Sequence, residues 1–86
     1  METRVAVISI IVEKGEQVET INALLHECAD FIIGRMGIPY RRRGVSIISI
    51  AIDAPQDVIS TLSGKIGKLS GVSVKTAYSQ VTGHDG

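Results

Sequence analysis

Two groups of residues in this chain have the types and spacing to do chemistry. The first is GRMGIPYRRRG, residues 34–44, whose Arg35, Arg41, Arg42 and Arg43 form the one basic cluster of the sequence. A planar guanidinium fork matches carboxylates and phosphates bidentately. Tyr40 adds a face for stacking, Met36 an adaptable apolar arm, and Gly34 and Gly37 leave room for a ligand or a second backbone. The functional reading is a contact with a small molecule or a partner protein, made by Gly34, Arg35, Met36, Gly37, Tyr40, Arg41, Arg42 and Arg43. The plain alternative is a solvated hairpin loop whose charges keep neighbouring strands from pairing edge to edge. The second group is His26 and Cys28, with Asp30 close behind and His84 near the end of the chain. These are metal-ligand types, but residues two apart on a helix point roughly 200° from each other. One copy cannot easily close a site of about four ligands with them. Two copies across a symmetric interface could. Cys28 equally continues an apolar stripe and reads as a small buried hydrophobe.

Other chemistries find little support. Cys28 has no base close by in sequence, the serines follow strand alternation, and no GxSxG motif, paired carboxylates or phosphate-cradling glycine loop is present. The expectation is a protein without enzymatic activity. Lys plus Arg is 9 and Asp plus Glu is 9, a formal net charge of zero. A dedicated nucleic-acid binder normally carries a basic excess, and neither interleaved aromatics nor an RNP sequence appears, so direct nucleic-acid binding is not expected. The EKGE turn, Glu13–Glu16, leads into a helix whose first N–H groups could hold an anion. A simple strand-to-helix turn is the stronger reading.

The elements that must position these residues follow from periodicity. RVAVISIIV, 4–12, is β-branched and nearly continuous in apolar character, a strand covered on both faces. From Gln17 to Cys28 the period becomes helical, with Val18, Ile21, Leu24, Leu25 and Cys28 on one stripe. FIIGRMGI, 31–38, returns to strand character; its glycines suggest a bulge or a close backbone approach, and Pro39 either ends the strand or marks it as an edge. GVSIISIAID, 44–53, is a strand. Pro55 and Asp57 suit the first turn of a second helix, whose stripe is Val58, Leu62, Ile66 and Leu69. Gly64 and Gly67 predict a frayed or closely packed last turn, and Ser70-Gly71 stops it. VSVKTAYSQV, 72–81, alternates, with Val72, Val74, Thr76 and Tyr78 on one face.

The order β-α-β-β-α-β predicts an α+β, ferredoxin-like fold: a four-stranded antiparallel sheet with two helices on one face. One domain is expected over residues 1–82, with a disordered tail at 83–86. Two helices cover one sheet face. Yet Ala6, Ile8, Ile10, Val12, Ile48, Ile50 and Ile52 on one side are matched by a substantially apolar other side, Val5, Val7, Ser9, Ile11, Val45, Ile47, Ser49 and Ala51. With 44% hydrophobic residues in 86, and no Trp, the surplus aliphatic surface predicts a homo-oligomer, a dimer or tetramer joined through the sheet face or an edge. One cysteine excludes an internal disulfide, and no apolar run is long enough to span a membrane. A soluble cytoplasmic protein is expected.

The stretches VAVISIIVE, NALLHE, IIGRMGIPYRRRGVSIISI and SGKIGKLSGVSVKTAYS together resemble a family of small proteins named as regulators of the iron-only hydrogenase system. The resemblance runs from about Arg4 to Val81, and GRMGIPY and SGKIGKLSGVSVKTA are its most specific parts. That family is similar to ACT domains and to the ligand-sensing C-terminal domain of nickel-responsive repressors. Both are βαββαβ folds that oligomerise through their sheets and bind small molecules or metals at subunit interfaces. The resemblance therefore implies a non-enzymatic, ACT-like regulatory or ligand-sensing module. Nickel sensing does not carry over, because the repressors use several histidines with a cysteine and this chain offers only His26 and Cys28 in a helix. With Met1 almost on the first strand, no DNA-binding ribbon is expected ahead of it, and any effect on transcription would run through a partner. Two other readings stand beside the regulatory one: a metal-binding or redox-sensing oligomer built on His26 and Cys28, and a purely structural assembly subunit.

Overall fold

The computed structural model describes residues 2–82, so the expected tail at 83–86, with His84, lies outside the described residues. Seven elements follow one another: β1 (Arg4–Val12), α1 (Gln17–Glu27), a 3₁₀ turn (Ala29–Phe31), β2 (Ile32–Tyr40), β3 (Val45–Ala54), α2 (Gln56–Gly67) and β4 (Val72–Thr82). The strands form one antiparallel sheet in the order β2-β3-β1-β4, with β1 and β3 central and paired Ile8 to Ile50.

Strand alternation builds the core. Every second residue of β1, from Ala6 to Val12, is buried, as are Ile48, Ile50, Ile52 and Ala54 of β3. Onto this face the helices lay Ile21 and Leu25 from α1 and Ile59, Leu62 and Ile66 from α2. Val18, Leu24, Cys28, Phe31, Val58 and Leu69 pack around them, half-buried. The core is almost wholly aliphatic, and no polar side chain is buried among the described residues.

Three local details differ from simple periodicity. Phe31, expected to open β2, belongs to the 3₁₀ turn, where its N–H donates to the Cys28 carbonyl at 2.9 Å. The chain needs that tight turn to drop from the helix layer to the sheet edge. Pro55 stands just before α2 with an extended ψ of 147°, and its carbonyl accepts from the N–H groups of Val58 and Ile59. Strand β2 runs through Pro39 to Tyr40, which an edge strand tolerates because its outer N–H groups have no ladder partner to lose.

The turns at the β1–α1 and α2–β4 ends are stapled together. Gly71 sits at φ +74°, in left-handed space, and a Cβ there would lie 2.7 Å from Cγ of Lys14. Its carbonyl accepts from Glu13 N–H at 2.7 Å, while Lys14 Nζ donates to Ser70 Oγ and Gln17 Nε2 to the Ser70 carbonyl. At the opposite end of β1, Arg4 lies over the Tyr78 ring at 4.5 Å and donates to Gln56 and to the Ser79 carbonyl.

Candidate functional site

The residues of the GRMGIPYRRRG stretch are distributed by the pleat and by one irregularity. Ile32 pairs with Ile52, but Gly34 pairs with Ala51, so Ile33 is an extra residue at a bulge. Beyond it, Arg35 pairs with Ile50 and Gly37 with Ile48, both buried core residues. Arg35 and Gly37 therefore share the helix-covered side. Gly34, Met36, Ile38 and Tyr40 take the other side, opposite Ala51, Ser49, Ile47 and Val45. Residues 41–44 form the exposed β2–β3 turn, closed by Arg43 N–H to the Tyr40 carbonyl and Gly44 N–H to the Arg41 carbonyl, with Gly44 at φ +68°. The eight candidate residues thus occupy three places: a helix-side edge, an open sheet face, and a hairpin tip.

On the helix side, one guanidinium nitrogen of Arg35 donates to Asn22 Oδ1 of α1 at 2.7 Å. This pair lines two hollows. One, of about 210 Å³, is walled by Val18, Gly37, Pro39, Ser46 and Ile48. The other, of about 240 Å³, contains Leu25, His26, Ala29 and Ile32. A Cβ built on Gly37 would meet nothing within 4 Å.

His26 and Cys28 are not brought together. His26 is exposed beside Arg35, whereas Cys28 lines a third hollow of about 190 Å³ between the helices, with Leu24, Asp57, Val58, Thr61 and Lys65. Burial, and then the Glu27 carboxylate, push the Cys28 thiol above its ordinary pKa, with Lys65 opposing. Among the described residues no three of His, Cys, Asp and Glu gather as a metal site. At the EKGEQ turn, the first α1 donors are taken within the chain, Gln17 N–H by the Lys14 carbonyl and Val18 N–H by the Gly15 carbonyl.

The open face of the sheet carries most of the large exposed apolar side chains among the described residues. Val7 is 39% exposed, Ile11 46%, Ile47 38% and Met36 47%, and Val5, Ile38 and Tyr40 extend the patch. Its apolar character was legible from the alternation of β1 and β3. The addition of Met36, Ile38 and Tyr40 needed the bulge at Ile33, which sequence signalled only through Gly34 and Gly37. Asn22, the partner that holds Arg35, carried no sequence signal beyond lying on the polar side of α1.

The arrangement defines a ferredoxin-like α+β protein, a small sheet with its helices on one face. The family is narrower still. The TM1266-like family, described as "Iron-only hydrogenase system regulator, putative", matches residues 4–76, and the chain belongs to it. Protein TM1266 from Thermotoga maritima superposes with a TM-score of 0.84 at 35% identity, over 88% of this chain and 96% of that one. Two more distant structures share the fold alone. A formyltetrahydrofolate deformylase from Pseudomonas putida KT2440 matches at TM-score 0.64 and 11% identity, over 85% of this chain and 28% of its own. The apo form of CPII from Thiomonas intermedia K12, a nitrogen regulatory PII-like protein, matches at 0.59 and 16%, over 95% and 96%. No curated protein matches the sequence. No helix among the described residues is long and apolar enough to cross a membrane.

Proposed function

We propose that the chain is a non-enzymatic, ACT-like regulatory module of the cytoplasm that works as a homo-oligomer, a dimer or tetramer, and senses a small molecule at the edge where β2 meets α1. The observation that carries this reading is the open sheet face. Isolated exposed aliphatics are ordinary, but seven large apolar side chains on one sheet face, flanking the central Ser9–Ser49 pair, are what an interface supplies. A second copy is the natural cover, since a two-fold contact buries the same patch on both chains. The regulatory part of the reading follows the family to which the chain belongs. Burial and the Glu27 carboxylate raise the Cys28 pKa, which argues against Cys28 as an activated thiolate nucleophile.

Native mass spectrometry of the untagged protein, paired with an Ile11→Lys variant, tests the assembly. The wild type should be an oligomer and the variant, with a charge set into the middle of the patch, a folded monomer. A monomeric wild type at micromolar concentration refutes the reading.

A further inference from the structure

We propose that the hollow between α1 and β2 binds a small monocarboxylate with a compact, branched aliphatic body. Arg35 takes the carboxylate, and the space above Gly37 takes the body. This rests on reading that edge as the sensing site, and adds the class of ligand.

Arg35 is a positioned cation. Asn22 Oδ1 accepts from one guanidinium nitrogen at 2.7 Å, an exposed contact that draws the side chain towards α1. Among the described residues Arg35 has no carboxylate partner; the ion pair present there is Lys65 with Glu27, elsewhere on the molecule. A guanidinium has five donors, so most remain for a ligand.

Gly37 marks the space. Its backbone is not in left-handed φ, and a Cβ would touch nothing within 4 Å. Gly34 of the same strand has equally open space, but Gly37 is the one of the two that lines the hollow. What glycine supplies is volume beside Arg35, walled by Val18, Pro39 and Ile48.

Size and charge narrow the class. A hollow of about 210 Å³ is smaller than the roughly 300–1,000 Å³ of drug-sized sites, so the body must be short. A phosphate dianion would look for a second cation or free helix N–H groups. The first N–H groups of α1, on Gln17 and Val18, are already bonded to Lys14 and Gly15. One guanidinium against a mostly apolar wall, with Asn22 and Ser46 its polar members, suits a monoanion with a short apolar tail.

Isothermal titration of the purified full chain with isovalerate, acetate and inorganic phosphate tests this. Isovalerate should bind saturably. Acetate should bind at least roughly tenfold more weakly, because each buried methylene contributes about 0.8 kcal/mol. Arg35→Gln should weaken isovalerate by about tenfold or more, the loss of a charged hydrogen bond. Gly37→Val should abolish binding without lowering the melting temperature, since its side chain enters empty space. The proposal is overturned if isovalerate fails to bind, if Arg35→Gln and Gly37→Val both bind it unchanged, or if phosphate binds more tightly. An oligomeric wild type that binds no isovalerate removes this inference alone. A monomeric wild type that does bind it removes the assembly reading alone.

Discussion

Ile10 and Ile11 are neighbours in β1, identical in chemistry, and opposite in environment. Ile10 is 1% exposed under the helices and Ile11 46% exposed on the open face. Ile10→Ala should cost about 2–5 kcal/mol, the transfer of the lost methyl and methylene groups plus the cavity left behind. In an isolated chain Ile11→Ala should cost far less. The side chain is only about half removed from water, no cavity forms, and at about 0.8 kcal/mol per methylene-sized group the loss is roughly 1 kcal/mol. If a second copy covers the face, Ile11 becomes a core residue of the assembly. Its loss then rises to about 2 kcal/mol or more per chain and depends on protein concentration. Urea unfolding at two concentrations a hundredfold apart distinguishes the cases. The expected result is a midpoint that rises with concentration for the wild type and for Ile10→Ala, and rises less for Ile11→Ala. Midpoints independent of concentration, with Ile11→Ala costing about 1 kcal/mol or less, would refute the idea that this face is an interface.

Gly71→Ala should destabilise the fold by about 1–2 kcal/mol from the left-handed φ alone, with more from the displaced Lys14 side chain, read as a lowered urea midpoint. The triple change of Arg41, Arg42 and Arg43 to Gln should leave stability within about 0.5 kcal/mol, because the turn is held by backbone bonds and the side chains are exposed; a large loss in thermal melts would contradict a solvated hairpin tip. The Cys28 thiol, its pKa raised by burial, should alkylate with iodoacetamide more slowly than a model peptide thiol at pH 8, and unfolding should erase the difference. The same shift makes the unfolded chain ionise first, so this stabilising contribution is present below the ordinary thiol pKa and declines as pH rises through it. Elemental analysis of untagged protein should find no stoichiometric transition metal, since His26 and Cys28 line separate hollows; bound metal that disappears in His26→Ala would restore the metal-sensing alternative.

The local code of this chain was readable because its strands and helices differ in period. β-branched runs at 4–12, 44–53 and 72–81, and stripes at spacing three and four in between, carry the βαββαβ order and the two sheet faces. Gly71 and the turn at 41–44 were equally visible, because left-handed backbone selects its residue. What the sequence could not determine is which way β2 faces. Side chains in a strand alternate strictly, so one extra residue reverses every position after it. The bulge at Ile33 sends Arg35 and Gly37 towards α1 and leaves Met36, Ile38 and Tyr40 on the open sheet, dividing one continuous motif between a groove and a face. The meeting of Arg35 with Asn22 depends in the same way on how α1 lies across the sheet edge, whereas the parting of His26 from Cys28 already follows from their spacing on a helix. Periodicity along the chain carries the first kind of information; register between strands and the docking of helix on sheet carry the second.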